Sequence, residues 1–207
     1  MKNAKFFLAP VIICLVGISC TENQSVEVER DSAGALSGDV YRNDRVGWTM
    51  RIPDGWNVMS KETTDEVYSK ANQIAEDSGG LEMGGSKTLL NFKRDFGNDS
   101  FLSVTQSWKG MGLIVAPDSS EFLKSQKDAL ENIMRSQGVT VDFTLNKEET
   151  IDRKTFKRFD ATASNGVSQT YYFALQDKYY FCAILTYTSN SSKEELFEAW
   201  QSSRFDR

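Results

Sequence analysis

Three runs in the last third of the chain, KTFKRFDATA, VSQTYYFAL and YYFCAILTYT, follow one another with only SNG and QDK between them. Each is rich in β-branched and aromatic residues, the composition that suits a pleated, half-buried surface. Asn165-Gly166 in the first break supplies the left-handed backbone that a tight hairpin turn demands. Parallel neighbours need a crossover of a dozen or more residues, and breaks this short cannot hold one. The three strands must therefore run antiparallel, which removes all-helical and parallel-sheet folds for this part of the chain.

The same grammar extends upstream. VYRNDR and VGWTMRIP predict a pair of short strands ended by the turn Pro53-Asp54-Gly55. LLNFKRDF and FLSVTQSW alternate around Gly97-Asn98-Asp99 as a hairpin, and Val139, Val141, Phe143 and Leu145 alternate as a strand with one wet face. Three helices are expected among them. Thr63 with Glu66 forms a capping box ahead of Val67, Ala71, Ile74 and Ala75. Asp118 with Glu121 opens a second helix, whose stripe is Phe122, Gln126, Ala129, Leu130, Ile133 and Met134 and whose stop is Gly138. Ser192 with Glu195 opens a third, carrying Leu196, Ala199, Trp200 and Ser203 and ending near Phe205. Hairpin-linked strands covered by amphipathic helices make the class α+β. The expectation is a single domain over residues 40–207, an antiparallel sheet of about six to eight strands under about three helices.

The N-terminus reads differently. Lys2 and Lys5 precede an apolar run from Phe6 to Val16 that contains Pro10, too short for the ~20 residues a spanning helix needs. Residues 1–19 have the build of a signal peptide. Ile18, Ser19 and Cys20 then resemble the lipobox of bacterial lipoproteins, with Gly17 departing from the aliphatic residue usual at that position. The resemblance implies cleavage before Cys20 and acylation of its thiol and new amine, giving membrane attachment through the lipid anchor. Ordinary secretion past an unmodified cysteine is the alternative. Thr21, where Asp would resemble an inner-membrane retention signal, favours the outer membrane. Residues 20–39, polar and acidic without a sustained period, read as a flexible tether. Cys14 leaves with the signal, so Cys182 alone remains in the folded part and has no internal disulfide partner.

Loss of Lys2 and Lys5 leaves 22 basic residues against 29 acids, a net charge of −7. That argues against nucleic acid as a partner. No histidine occurs anywhere, which removes Ser-His and Cys-His activation and imidazole-based metal sites. Other constellations fail on spacing. In GGLEMGGSKT, Ser86 separates Gly85 from Lys87 and a strand follows, so no helix N-terminus can hold a phosphate. Asp95, Asn98 and Asp99 lack the register of a calcium loop and suit a hairpin tip. No Gly-x-Ser-x-Gly or Ser-x-x-Lys occurs. Glu148, Glu149 and Asp152 read as an acidic turn, and a hydrolase built on Glu148, Asp152 or Lys87 would need those groups to converge. No catalytic residue, metal or cofactor is expected. Tyr171-Tyr172 and Tyr179-Tyr180 must each put one ring on either sheet face. Tyr172 and Tyr180, if exposed together, would form a ligand or partner patch, and Trp108 with Tyr172 would line an aromatic groove.

VGWTMRIPDGWNV (46–58), a short aromatic strand ending in a Pro-x-Gly-Trp turn, resembles the opening segment of the PsbP-like and Mog-like superfamily. So does the late order of a YYF strand, a second apolar strand, and a Ser-x-x-Glu helix ending at Trp200, Ser203 and Phe205. The resemblance spans about residues 40–207 and implies an antiparallel sheet between helical layers. It brings no catalytic residues, since members of that superfamily are largely binding or assembly proteins. The functional expectation is a lipid-anchored cell-envelope protein acting as a non-enzymatic interaction or assembly module with an envelope partner. The alternative is a small-ligand carrier with an aromatic-lined groove.

Overall fold

The structure is a computed structural model, which describes residues 34–60, 62–64, 66, 86–107, 119–176 and 179–206. The expected signal peptide, Cys20, most of the expected tether, the stripe of the first helix, Asp118 and Trp108 lie outside the described residues. Residues 62–64 and 66 are helical, where the Thr63/Glu66 box places a helix start.

The protein is α+β, with two antiparallel sheets. Strands β1 (Ala35–Ser37), β2 (Val40–Asn43), β3 (Trp48–Arg51) and β11 (Arg204–Phe205) form the smaller, in the order β1-β2-β3-β11. The larger runs β4-β5-β6-β10-β9-β8-β7. Its strands are β4 (Asn57–Val58), β5 (Ser86–Lys93), β6 (Ser100–Ser107), β7 (Val141–Ile151), β8 (Lys154–Ala163), β9 (Ser168–Gln176) and β10 (Tyr179–Tyr187). Helix α1 (Ser119–Ser136) and helix α2 (Asn190–Gln201) complete the described elements. The runs KTFKRFDATA, VSQTYYFAL and YYFCAILTYT form β8, β9 and β10, in continuous antiparallel register, with Gly166 at φ 87° in the turn.

Alternation along these strands separates two cores. Leu102, Val104, Phe159, Tyr171, Phe173, Tyr180, Cys182 and Ile184 face one way and pack against Leu123, Leu130, Ile133 and Met134 of α1. Phe92, Phe101, Phe156, Tyr172, Phe181, Ala183 and Leu185 face the other. There they meet the small sheet (Tyr41, Trp48, Met50, Phe205) and α2 (Leu196, Ala199, Trp200). The large sheet is thus buried on both faces, by a helix on one and by a second sheet plus a helix on the other.

Four boundaries differ from the sequence expectation, each for a physical reason. The sheet begins at Ala35, inside the stretch read as tether. Gly38 (φ 61°) and Asp39 make a two-residue turn that sets Ser37 opposite Val40. The acidic turn is not a turn at Glu148 and Glu149: both sit in β7 opposite Lys157 and Phe156, and only Asp152 (φ 54°) occupies the bend. Helix α2 is capped by Ser189, whose hydroxyl accepts from Ser192 N–H at 3.1 Å, rather than by Ser192. Ser192 is itself buried and donates to Asp99 Oδ2 at 2.5 Å, while Thr188 N–H and Oγ1 donate to Asp99 Oδ1 at 2.7 and 2.8 Å. Finally α2 stops at Gln201 instead of running to Phe205. At ~100° per residue a continuing helix would turn Phe205 about 140° away from Trp200. As β11 it reaches the same core instead, its ring 6.0 Å from Trp200 and 6.4 Å from Trp48.

Candidate functional site: a charged groove beside the tryptophan turn

The turn at Pro53-Asp54-Gly55 depends on Gly55, whose φ of 78° lies in the left-handed region that side chains disfavour. Trp56 N–H closes it on Pro53 C=O at 3.3 Å. This geometry drops the Trp56 indole against Phe92, with ring centroids 5.6 Å apart, and under the first turns of α2. There its Nε1–H donates to Glu195 Oε2 at 2.9 Å. Arg94 sits 5.1 Å over the same indole and forms an ion pair with the same carboxylate. Ser191 Oγ donates to the other Glu195 oxygen at 3.3 Å. The Arg94 guanidinium first, and the Trp56 donor second, hold the Glu195 carboxyl below its ordinary value.

Beyond this clamp, β3 and α2 diverge and leave a groove of about 690 Å³. One wall is Thr49 to Asp54 with Asp39 and Val40; the other is Glu195, Glu198, Ala199 and Ser202, and Arg204 of β11 also lines it. Carboxylates of Asp39, Asp54, Glu195 and Glu198 share it with the guanidiniums of Arg51 and Arg204. Arg51 pairs with Asp39, and Glu195 is held by Arg94, so Asp54, Glu198 and Arg204 are the lining charges without an ion-pair partner among the described residues. A water-open cleft of mixed polar and apolar lining, with carboxylates in excess, can hold a charged segment by hydrogen bonds and ion pairs.

The exposed tyrosine patch expected from sequence is not formed. Tyr172 and Tyr180 are both buried and occupy opposite faces of the large sheet, so they form no common patch. Tyr172 lies against α2, its ring centroid 5.3 Å from Trp200, and its hydroxyl donates to Glu149 Oε2 at 3.0 Å. Burial, with that carboxylate beside it, pushes its ionisation far above the ordinary tyrosine range. Around it runs a half-buried charge network. Arg158 donates to Glu149 at 2.8 Å and to Asp160 at 2.9 Å, and lies 4.9 Å over Phe197 and 5.5 Å over Tyr172. Thr170 donates to Asp160 at 2.8 Å, Lys147 to Asp160 at 3.2 Å and Gln201 to Glu149 at 3.1 Å. These groups saturate one another, so the network ties α2 to β7, β8 and β9.

Nor do the hydrolase candidates converge. Lys87 is on β5 and Glu148 on β7, five ladder steps apart across the large sheet, about 24 Å at ~4.8 Å per step. Glu148 pairs with Lys157, and Asp152 Oδ2 accepts from Phe205 N–H at 2.9 Å. Asp95 accepts from Asn57 Nδ2 at 2.7 Å, and Asp99 is the buried tie for α2 already described. The groove residues were missed because Glu195 reads as a capping residue in sequence; its partner Trp56 lies 139 positions away.

No family model matches the chain, and no curated protein matches its sequence. Among solved structures it is similar to the solution structure of cyanobacterial PsbP (CyanoP) from Synechocystis sp. PCC 6803, at 12% identity and a TM-score of 0.48. The likeness covers 83% of this chain and 98% of that one.

Proposed function

We propose that the protein is a lipid-anchored component of a bacterial cell envelope whose α+β domain acts as a non-enzymatic interaction module, docking an envelope partner in the groove between β3 and α2. The groove itself carries this reading. It is open to water and its lining sets charged groups beside apolar ones, which suits a partner segment that carries both. The clamp of Trp56, Arg94 and Glu195 holds one end of the cleft in shape. Attachment rests on the lipobox-like Ile18-Ser19-Cys20, with acylated Cys20 holding the domain at the outer membrane.

Two measurements test the two halves of the proposal. Full-length protein expressed in a bacterial host is expected to fractionate with membranes and carry acyl mass, while Cys20→Ser is expected to be soluble and unmodified. Membrane partition of Cys20→Ser at the wild-type level would remove the anchor. A photo-crosslinking residue placed at Glu198 is expected to capture a discrete envelope partner, and the same group at exposed Lys124, on α1 at the opposite face of the large sheet, is not. Equal capture at both positions would remove the groove as the docking site.

A further inference from the structure

The small sheet is left open on one side, and the opening faces the groove. Ile52 N–H donates to Asp39 C=O at 2.7 Å, so the even-numbered positions of β3 bond toward β2. Asp206 N–H donates to Gly47 C=O at 2.7 Å on the opposite side, so the backbone polar groups of Gly47, Thr49 and Arg51 point to the side of β3 on which β11 lies. Strand β11 reaches only as far as Arg204, which sits opposite Thr49. The next place, opposite Arg51, falls to Ser202 at the end of α2, whose N–H is already given to Glu198 C=O at 3.0 Å. The backbone N–H and C=O of Arg51 therefore turn into the groove, and no bond to them is made among the described residues. Pro53, the next outward position, has no N–H and ends the edge chemically.

An unpaired strand edge beside a helix is the arrangement in which an extended peptide adds as one more strand: main-chain bonds supply affinity, and pockets for alternate side chains supply selectivity. The edges of the large sheet at β4 and β7 are blunted. Strand β4 has two residues, and β7 carries a bulge between Thr144 and Lys147 followed by Lys147, Glu148 and Glu149. Here the edge is short but set in a cleft, and its surroundings select by charge. The carboxylates of Asp54 and Glu198 lack ion-pair partners among the described residues, with Arg204 alone opposing them.

Resting on the interaction-module reading, we infer that the groove binds an extended, basic peptide segment of a partner protein by pairing it with the outward backbone of Arg51. Its basic side chains meet Glu198 and Asp54, and its main chain exchanges hydrogen bonds with Arg51. The side chain of Arg51 is not required, because the bonds come from the backbone.

The test uses the full-length protein in detergent with two acetylated decapeptides, one of alternating Lys and Val and one of alternating Glu and Val. The Lys/Val peptide is expected to bind saturably below about 1 mM, the Glu/Val peptide at least ten-fold more weakly. Binding is expected to slow hydrogen exchange of the Arg51 amide. Arg51→Pro deletes that N–H at a place where no ladder bond is lost, so the fold is retained. It is expected to weaken binding about five- to ten-fold relative to Arg51→Ala, the equivalent of one hydrogen bond. Glu198→Lys is expected to erase the preference for Lys/Val. The inference is overturned by equal binding of Arg51→Pro and Arg51→Ala, by an unprotected Arg51 amide in the complex, by equal affinity for the two peptides, or by no saturable binding. Failure here together with crosslinking of a partner at Glu198 leaves the interaction module standing with a different mode of docking. Success here with no membrane attachment removes only the anchor.

Discussion

Arg158→Met removes the centre of the charge network while keeping most of the side-chain volume. In the wild type the Arg158 side chain is 15% exposed, and the carboxylates it serves on Glu149 and Asp160 are 22% and 20% exposed. Removing one partner of a fully buried pair costs 3–5 kcal/mol, because a charge is left in low dielectric. Partial exposure lowers that figure, and loss of the stacking on Phe197 and Tyr172 adds to it, so a loss of about 3 kcal/mol is expected. At 2–4 °C per kcal/mol for a domain of this size, the melting temperature should fall by about 6–12 °C. The pH dependence supplies the sharper test. Burial alone would raise the Asp160 pKa, but hydrogen bonds from Thr170 and Arg158, with the charge of Arg158, reverse that and hold the carboxyl below its ordinary value. A depressed folded-state pKa stabilises above the unfolded value, near 4, and that stability is lost as pH falls through the folded pKa. Without Arg158 the Asp160 carboxyl keeps only Thr170 and Lys147 to favour its ionised form, so the gap between variant and wild type should be largest at pH 7 and shrink toward pH 3. Urea unfolding followed by tryptophan fluorescence at pH 7, 5 and 3 measures this. Adding Glu149→Gln and Asp160→Asn should recover part of the loss. A pH-independent gap, or one below about 1 kcal/mol at pH 7, would refute the electrostatic account.

Other perturbations follow from the same contacts. Asp99→Ala strands the Thr188 N–H and the Thr188 and Ser192 hydroxyls at the start of α2, and should cost about 2–4 kcal/mol in urea unfolding. Asp99→Asn should recover only part. Ser189→Ala removes the α2 cap and should cost about 1 kcal/mol. Trp56 emission should report protonation of Glu195 with a midpoint below 4.5, and that transition should vanish in Glu195→Gln while persisting in Glu198→Gln.

Some of this architecture is visible in local pattern. Hairpins β8-β9-β10 need only short breaks, Asn165-Gly166 and alternating residues, all of which lie within a few positions of one another. The stripe of α1 reads directly from spacing, with Gln126, Leu130, Ile133 and Met134 buried as expected and Leu123 buried beside them. Alternation also dictates that Tyr171 and Tyr172 part to opposite faces. It says nothing of what covers each face, and so an exposed tyrosine patch looked available where the molecule has packed cores on both sides. Likewise Glu149 reads as one acid of an exposed turn until Arg158, Tyr172 and Gln201 are brought around it by three different elements.

Local sequence by itself determined the longer strands, the stripe of α1, the tight turns and the antiparallel sense, because each depends on residues that are neighbours along the chain. It also carries the signal-like N-terminus and the absence of histidine, with the chemistries that absence removes. Only the tertiary structure decided that there are two sheets, that Asp99 ties down α2, and that a helix ends early so that β11 can deliver Phe205 to the core. The groove belongs to this second group. Its walls are β3 and α2, about 150 positions apart, and its open edge exists because β11 pairs with β3 only at Trp48 and Thr49. A strand pattern encodes which way side chains point, whereas which backbone groups remain unpaired depends on where a distant segment stops.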